Sequence, residues 1–204
     1  MIKCGNFDIS LPNVRKVYAG NRLVWLSDIL PSGYTALSGI TFDGNSRFIT
    51  SIVLTGDDTL RFRYRASKSC NVIGSYVSAS ADNNFSYYHT GSSYVRYDGN
   101  LFRTSMSNNT DYSVVFSKSG FVVNSSDVLT WSPETFTCNA PLWIGMLPNS
   151  SAASFSGVFW GNIEIDGKFK GIPCKRNSDE EIGYFDVYSD EFLTNQGTGS
   201  VSTA

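Results

Sequence analysis

Leu60-Arg61-Phe62-Arg63-Tyr64-Arg65 alternates apolar and cationic residues without a break. Successive side chains of a strand leave opposite faces, so this period of two predicts a half-buried strand. Leu60, Phe62 and Tyr64 would face a core. Arg61, Arg63 and Arg65 would stand on the solvent side of an antiparallel sheet, with Asp57 and Asp58 near enough in sequence to offset them. The same stripe could instead meet an acidic glycan or another negatively charged surface.

Working outward, the pattern repeats as short strands broken by turns. Tyr94-Val95-Arg96-Tyr97 and Leu101-Phe102-Arg103 flank Asp98-Gly99-Asn100, a strong hairpin signal. Residues 47–53, 112–116, 121–123, 142–146 and 158–165 read as further strands. No stretch keeps a helical period beyond a turn or two. This pattern predicts an all-β chain folded as a two-sheet sandwich or jelly roll.

Composition agrees and excludes other classes. The 204 residues suffice for a full core, with 14% aromatic and only 17% charged residues. A net charge of −2 argues against nucleic acid and against an anionic membrane as partners. No run approaches about 20 apolar residues, so no transmembrane helix is expected. Met1-Ile2-Lys3-Cys4-Gly5-Asn6 has no apolar signal core, so Sec export is not expected. Cys4, Cys70, Cys138 and Cys174 are widely spaced, which predicts buried free thiols in place of a zinc site or disulfides. No cofactor and no metal are implied.

The N-terminus is a separate small module, residues 1–26. Lys16-Val17-Tyr18 and Arg22-Leu23-Val24-Trp25 flank Ala19-Gly20-Asn21, a loop between two strand-like runs. A lone hairpin is unstable in water and needs a surface to pack on. Val17, Tyr18, Leu23 and Trp25 are the candidate attachment contacts. Residues 27–33 read as a linker, and residues 34–204 as the main domain.

Three constellations could carry chemistry. Glu164 and Asp166 share one strand face, as paired carboxylates of a glycoside hydrolase could. Laminarinase-type hydrolases add a second Glu after this pair, whereas Gly167, Lys168 and Phe169 follow here. Asp166-Gly167 therefore reads as a turn, and Glu164 as solvated. His89, the only histidine, reads as a surface loop residue without an orienting acid. Tyr76, Tyr87, Tyr88, Tyr94 and Tyr97 lie in a Ser- and Asn-rich stretch suited to recognition. Tyr87, Tyr88, Tyr94 and Tyr97 are the candidate glycan contacts. Strand alternation could equally turn half of these rings into the sandwich.

Several motifs in order resemble one family. Leu30-Pro31-Ser32-Gly33-Tyr34, Leu142-Trp143-Ile144-Gly145, Pro173-Cys174-Lys175-Arg176-Asn177-Ser178-Asp179 and Phe192-Leu193-Thr194-Asn195-Gln196-Gly197-Thr198-Gly199 resemble bacteriophage virion proteins of gut-bacterial phages. These carry a concanavalin A-like (LamG-type) jelly roll. The resemblance spans about residues 30–200. Phe48-Ile49-Thr50-Ser51-Ile52 and Gly183-Tyr184-Phe185-Asp186 depart from its pattern. Residues 2–6 and 16–25 resemble a second phage element that leads virion proteins.

The resemblance implies a concanavalin A-like jelly-roll sandwich preceded by a small N-terminal β-hairpin module. It implies a structural protein of the virion, made in the bacterial host cytoplasm: a head fibre, capsid decoration or tail fibre. Its expected partners are other virion proteins, sister chains in a homo-oligomer such as a trimer, and host-surface or mucus glycans. No enzyme activity is expected. A capsid decoration without ligand and a glycan-cleaving jelly roll are the alternatives.

Overall fold

The computed structural model describes residues 30–78, 81–148 and 153–204, except the side chain of residue 127, and the backbone of four N-terminal strands. Those strands are β1 (Ile2–Cys4), β2 (Phe7–Ile9), β3 (Lys16–Ala19) and β4 (Arg22–Leu26). β1 pairs with β2, and β3 with β4, both antiparallel, so the expected hairpin is present. The side chains of Val17, Tyr18, Leu23 and Trp25 lie outside the described residues. So do the side chain of Cys4 and residues 27–29 of the linker.

All the described regular structure is strand. The main domain runs β5 (Tyr34–Ala36), β6 (Gly39–Asp43), β7 (Phe48–Thr55), β8 (Leu60–Ala66), β9 (Cys70–Ser75), β10 (Asn84–His89), β11 (Ser93–Asp98) and β12 (Asn100–Thr104). It continues with β13 (Tyr112–Ser117), β14 (Gly120–Val123), β15 (Ser126–Thr130), β16 (Thr137–Ile144) and β17 (Ser156–Ile165). It closes with β18 (Phe169–Arg176), β19 (Ile182–Asp186), β20 (Glu191–Leu193) and β21 (Val201–Thr203).

These strands form two antiparallel sheets. The smaller has the order β12-β11-β10-β9-β16-β7. The larger has the order β15-β14-β13-β8-β17-β18-β19-β20, with β6 on β17, β21 on β6 and β5 on β18. The chain changes sheet between β6 and β7, β7 and β8, β8 and β9, β12 and β13, β15 and β16, and β16 and β17. Repeated crossing of this kind makes a jelly-roll sandwich, as the sequence predicts.

Aromatic rings fill the space between the sheets. Phe85 of the smaller sheet stacks on Phe116 of the larger at 3.9 Å. Tyr87 meets Phe121 at 4.9 Å, and Phe48 meets Tyr184 edge-on at 5.2 Å. β8 behaves as its alternation predicts, with Leu60, Phe62 and Tyr64 buried and the arginines outside. Cys70, Cys138 and Cys174 are buried free thiols, and burial pushes each up to about 11.

Pro173 sits inside β18, not at a strand terminus. β17 stops pairing with β18 at Gly171, and β5 begins at Cys174. Proline has no N–H to donate, and here it falls at the break between two neighbours. Its carbonyl accepts from Leu37 N at 2.9 Å.

Candidate functional site

The site lies on the outside of the smaller sheet, where strand register assembles two rows. In the first, Arg96 of β11 pairs with Ser86 of β10, Ser86 with Gly74 of β9, and Gly74 with Trp143 of β16. In the second, Arg103 pairs with Tyr94, Tyr94 with Tyr88, and Tyr88 with Asn71. A register shift between Tyr87 and Tyr88 makes Val72 an extra residue of β9. This bulge keeps Asn71 beside Tyr88 on the outer face.

Only glycine fits between Ser86 and Trp143. A Cβ on Gly74 would stand 2.5 Å from Ser86 Cα and 2.6 Å from the Phe85 carbonyl oxygen. The close approach holds β9 against β10. A cavity of about 310 Å³ opens on this face, lined by Asn71, Tyr76, Ser86, Tyr88, Tyr94, Arg96 and Leu147. That is the small end of the ligand-pocket range, about 300–1,000 Å³.

The lining has a definite chemistry. Tyr88 and Tyr94 lie side by side, 5.9 Å apart and tilted by 37°. The Arg96 guanidinium lies over the Tyr76 ring at 5.8 Å, and that of Arg103 over Tyr94 at 5.1 Å. Such placements hold both partners in orientation. Burial raises the Tyr88 phenol above its ordinary value, so its hydroxyl stays a donor at neutral pH. Ser86 is 2% exposed, and among the described residues no hydrogen bond engages its hydroxyl. The Asn84 side chain ties the neighbouring loop down by donating to the Ser78 and Ala81 carbonyls. Among the described residues the pocket lining contains one cation and no carboxylate.

The four tyrosines named from sequence divide by strand parity. Tyr88 and Tyr94 line the pocket, and Tyr76 joins them. Tyr87 and Tyr97 do not: they are 0% and 1% exposed and point between the sheets. Each buried hydroxyl is satisfied there, Tyr97 donating to Gly56 O at 2.8 Å and Tyr87 bonding Tyr64. They are core residues, and as glycan contacts they are corrected here. Asn71 and Ser86 were missed, because β9 and β10 carry no regular apolar alternation.

His89 is also corrected, from surface loop to core. It is fully buried at the end of β10. Asn108 Oδ1, 3.1 Å away, can only accept, so Nε2 carries the proton. Nδ1 then accepts from the Tyr64 hydroxyl at 2.9 Å. Burial lowers its pKa below the ordinary 6.5.

The outside of the larger sheet is different. Arg65 makes a two-pronged pair with Asp111, at 3.0 and 2.6 Å, and Trp160 Nε1 donates to the same carboxylate at 2.9 Å. Arg61 pairs with Asp166, and Lys170 with Glu164 at 3.2 Å. The expected partners of the arginine stripe, Asp57 and Asp58, are taken by Lys118 and Lys168 instead. Glu164 is thus ion-paired, where solvation was expected. Among the described residues no cluster of three or more His, Cys, Asp or Glu could hold a metal.

No protein-family model matches the chain, and no curated protein matches it. Among solved structures, the mouse laminin alpha1 chain, domains LG4-5, is similar, with a TM-score of 0.52 at 16% identity. The match covers 90% of this chain and 50% of that one, so the chain spans about half the length of that structure. This likeness establishes the fold. The main domain is a concanavalin A-like jelly-roll sandwich.

Proposed function

We propose that the chain is a binding module displayed on a phage particle, and that the tyrosine pocket of its smaller sheet holds a glycan. The observation that carries the binding step is the convergence of Tyr76, Tyr88, Tyr94, Arg96, Asn71 and Ser86 around one open cavity. Flat phenol rings pack against the C–H faces of sugars, and the fixed polar groups bond the hydroxyls. The site sits on sheet strands, so binding requires little ordering. The concanavalin A-like fold suits this use, and many of its members bind carbohydrate.

The particle assignment rests on the sequence resemblance, which runs in order through both parts of the chain. In this reading residues 1–26 join the particle or sister chains, and the jelly roll faces outward. The module binds and does not cleave. Glu164 and Asp166, the one carboxylate pair with hydrolase spacing, are each engaged by a cation, Lys170 and Arg61.

Two experiments test it. A density map of the purified virion should show the chain docked through its N-terminal module. Particles without it remove the virion role. Screening the full chain against a glycan panel should give binding that Tyr88→Ala weakens about tenfold; binding indifferent to Tyr88 removes this pocket.

A further inference from the structure

Building on that glycan reading, we infer that the site continues past the tyrosine pocket to Trp143 and Arg47, so that its ligand is a chain of two or more sugar units laid across the strands. One arrangement occurs twice in the molecule: a guanidinium beside an indole. On the larger sheet Arg65 lies 5.8 Å from the Trp160 ring, and Asp111 accepts from both, from Arg65 Nη2 at 2.6 Å and from Trp160 Nε1 at 2.9 Å. On the smaller sheet Arg47 lies 5.1 Å from the Trp143 ring, and its Nη1 donates to the Met146 thioether, a weak acceptor, at 3.7 Å. Among the described residues, Arg47 Nε and Trp143 Nε1 are buried with no hydrogen-bond partner. An unmet buried N–H costs free energy, and a ligand oxygen that reaches it recovers that cost. Asp111 shows that one oxygen-bearing group can serve such a pair.

The fold places this pair in line with the pocket. Trp143 is half-buried on β16 and pairs with Gly74, which pairs with the pocket residue Ser86. Phe48 and Ile144 are in register and fully buried, so their neighbours Arg47 and Trp143 share the outer face. Gly74 brings no side chain into the path. Neighbouring strands lie about 4.8 Å apart, so Ser86 and Trp143 are about 10 Å apart across the sheet. One ring laid on Tyr88 and Tyr94 leaves Trp143 uncovered, and a further unit reaches it. The segment after β16 ties the two positions together, since Met146 accepts from Arg47 and Leu147 lines the pocket. The flat indole suits the C–H face of that further unit, and the Arg47 donors suit its oxygens.

The test is an amide NMR titration of the full chain with N-acetyllactosamine and with the tetrasaccharide of two such units. It is repeated for Trp143→Ala, Trp143→Phe, Arg47→Ala and Tyr88→Ala. The tetrasaccharide should bind on the order of tenfold more tightly than the disaccharide, the size of one added aromatic contact, and should shift amides of β16 as well as β10. Trp143→Ala should remove that gain and leave the disaccharide unchanged, which also excludes unfolding. Trp143→Phe, which keeps a ring without the N–H, and Arg47→Ala should each remove part of the gain. Tyr88→Ala should weaken both sugars. Equal binding of the two sugars, or tetrasaccharide binding indifferent to Trp143, overturns the extended site while the pocket stands. No shift at pocket amides with either sugar overturns the glycan reading as well.

Discussion

On the outside of the larger sheet, Arg61, Arg65 and Lys170 each meet a carboxylate, and Trp160 donates its indole N–H to Asp111. On the outside of the smaller sheet, Arg96 and Arg103 rest on tyrosine rings, and the Ser86 hydroxyl goes unused among the described residues. Both faces arise from the same alternation of inward and outward residues. Their difference lies in what the outward groups gather around. A face whose charged groups lie in ion pairs with one another is finished as a surface. A face that gathers aromatic rings around an open cavity is poised for a ligand. Charge count alone does not separate the two, since the arginine stripe is the more conspicuous in sequence.

The sharpest way to break this comparison is within one strand. Tyr87→Ala empties a fully buried site and removes one of the two partners of the Tyr64 hydroxyl, the other being His89. It should cost about 3–5 kcal/mol in denaturant unfolding. A loss near zero would place Tyr87 outside the core. One residue on, Tyr88→Ala should leave the unfolding curve nearly unchanged while weakening glycan binding about tenfold, the size of one aromatic contact. Loss of stability with intact binding would reverse the roles assigned to the two rings.

Acid should distinguish the sheets. His89 is enclosed by Tyr64, Asn108 and Tyr112, and its pKa is lowered in the folded state. Below about 6.5 the unfolded chain therefore binds a proton that the folded chain resists, and stability falls as pH drops through that window. Hydrogen exchange should show β10, which carries the pocket, losing protection there first. Asp111, on the larger sheet, has a lowered pKa because Arg65 hydrogen-bonds it, so its contribution is present above 3.8 and is lost only below that value. Protection of β10 unchanged down to pH 5 would count against the buried histidine. The smallest effect belongs to Asp111→Ala. Its pair with Arg65 is solvent-screened, so both the melting temperature and glycan affinity should hardly move. A lost glycan would move the site to the other sheet.

These contrasts also show what was legible beforehand. β8 and the β11–β12 hairpin were readable, since strict alternation and Asp98-Gly99 each have one structural meaning. Asp98 indeed takes a left-handed φ of 55°. β9 and β10 were not readable. Among their outward positions, Asn71, Gly74 and Ser86 carry no strand signal, and the extra Val72 breaks the period. The pocket stands on those two strands, so its small polar members escaped notice while its tyrosines did not. The partners of the arginines were equally hidden. Asp111 and Asp166 are distant in sequence and reach β8 only through β13 and β17.

The alternation along β10 and β11 has one more consequence. Recognition positions and packing positions are interleaved one by one: Ser86 and Tyr88 between Phe85, Tyr87 and His89, and Tyr94 and Arg96 between Ser93, Val95 and Tyr97. Point substitutions at every second residue can therefore rewrite what the face prefers while leaving the interior untouched. A single-residue insertion or deletion in either strand would exchange the two sets. Diversity in this module should accumulate as substitutions at alternate positions with strand length held fixed, and a laboratory library built on it should be randomised the same way.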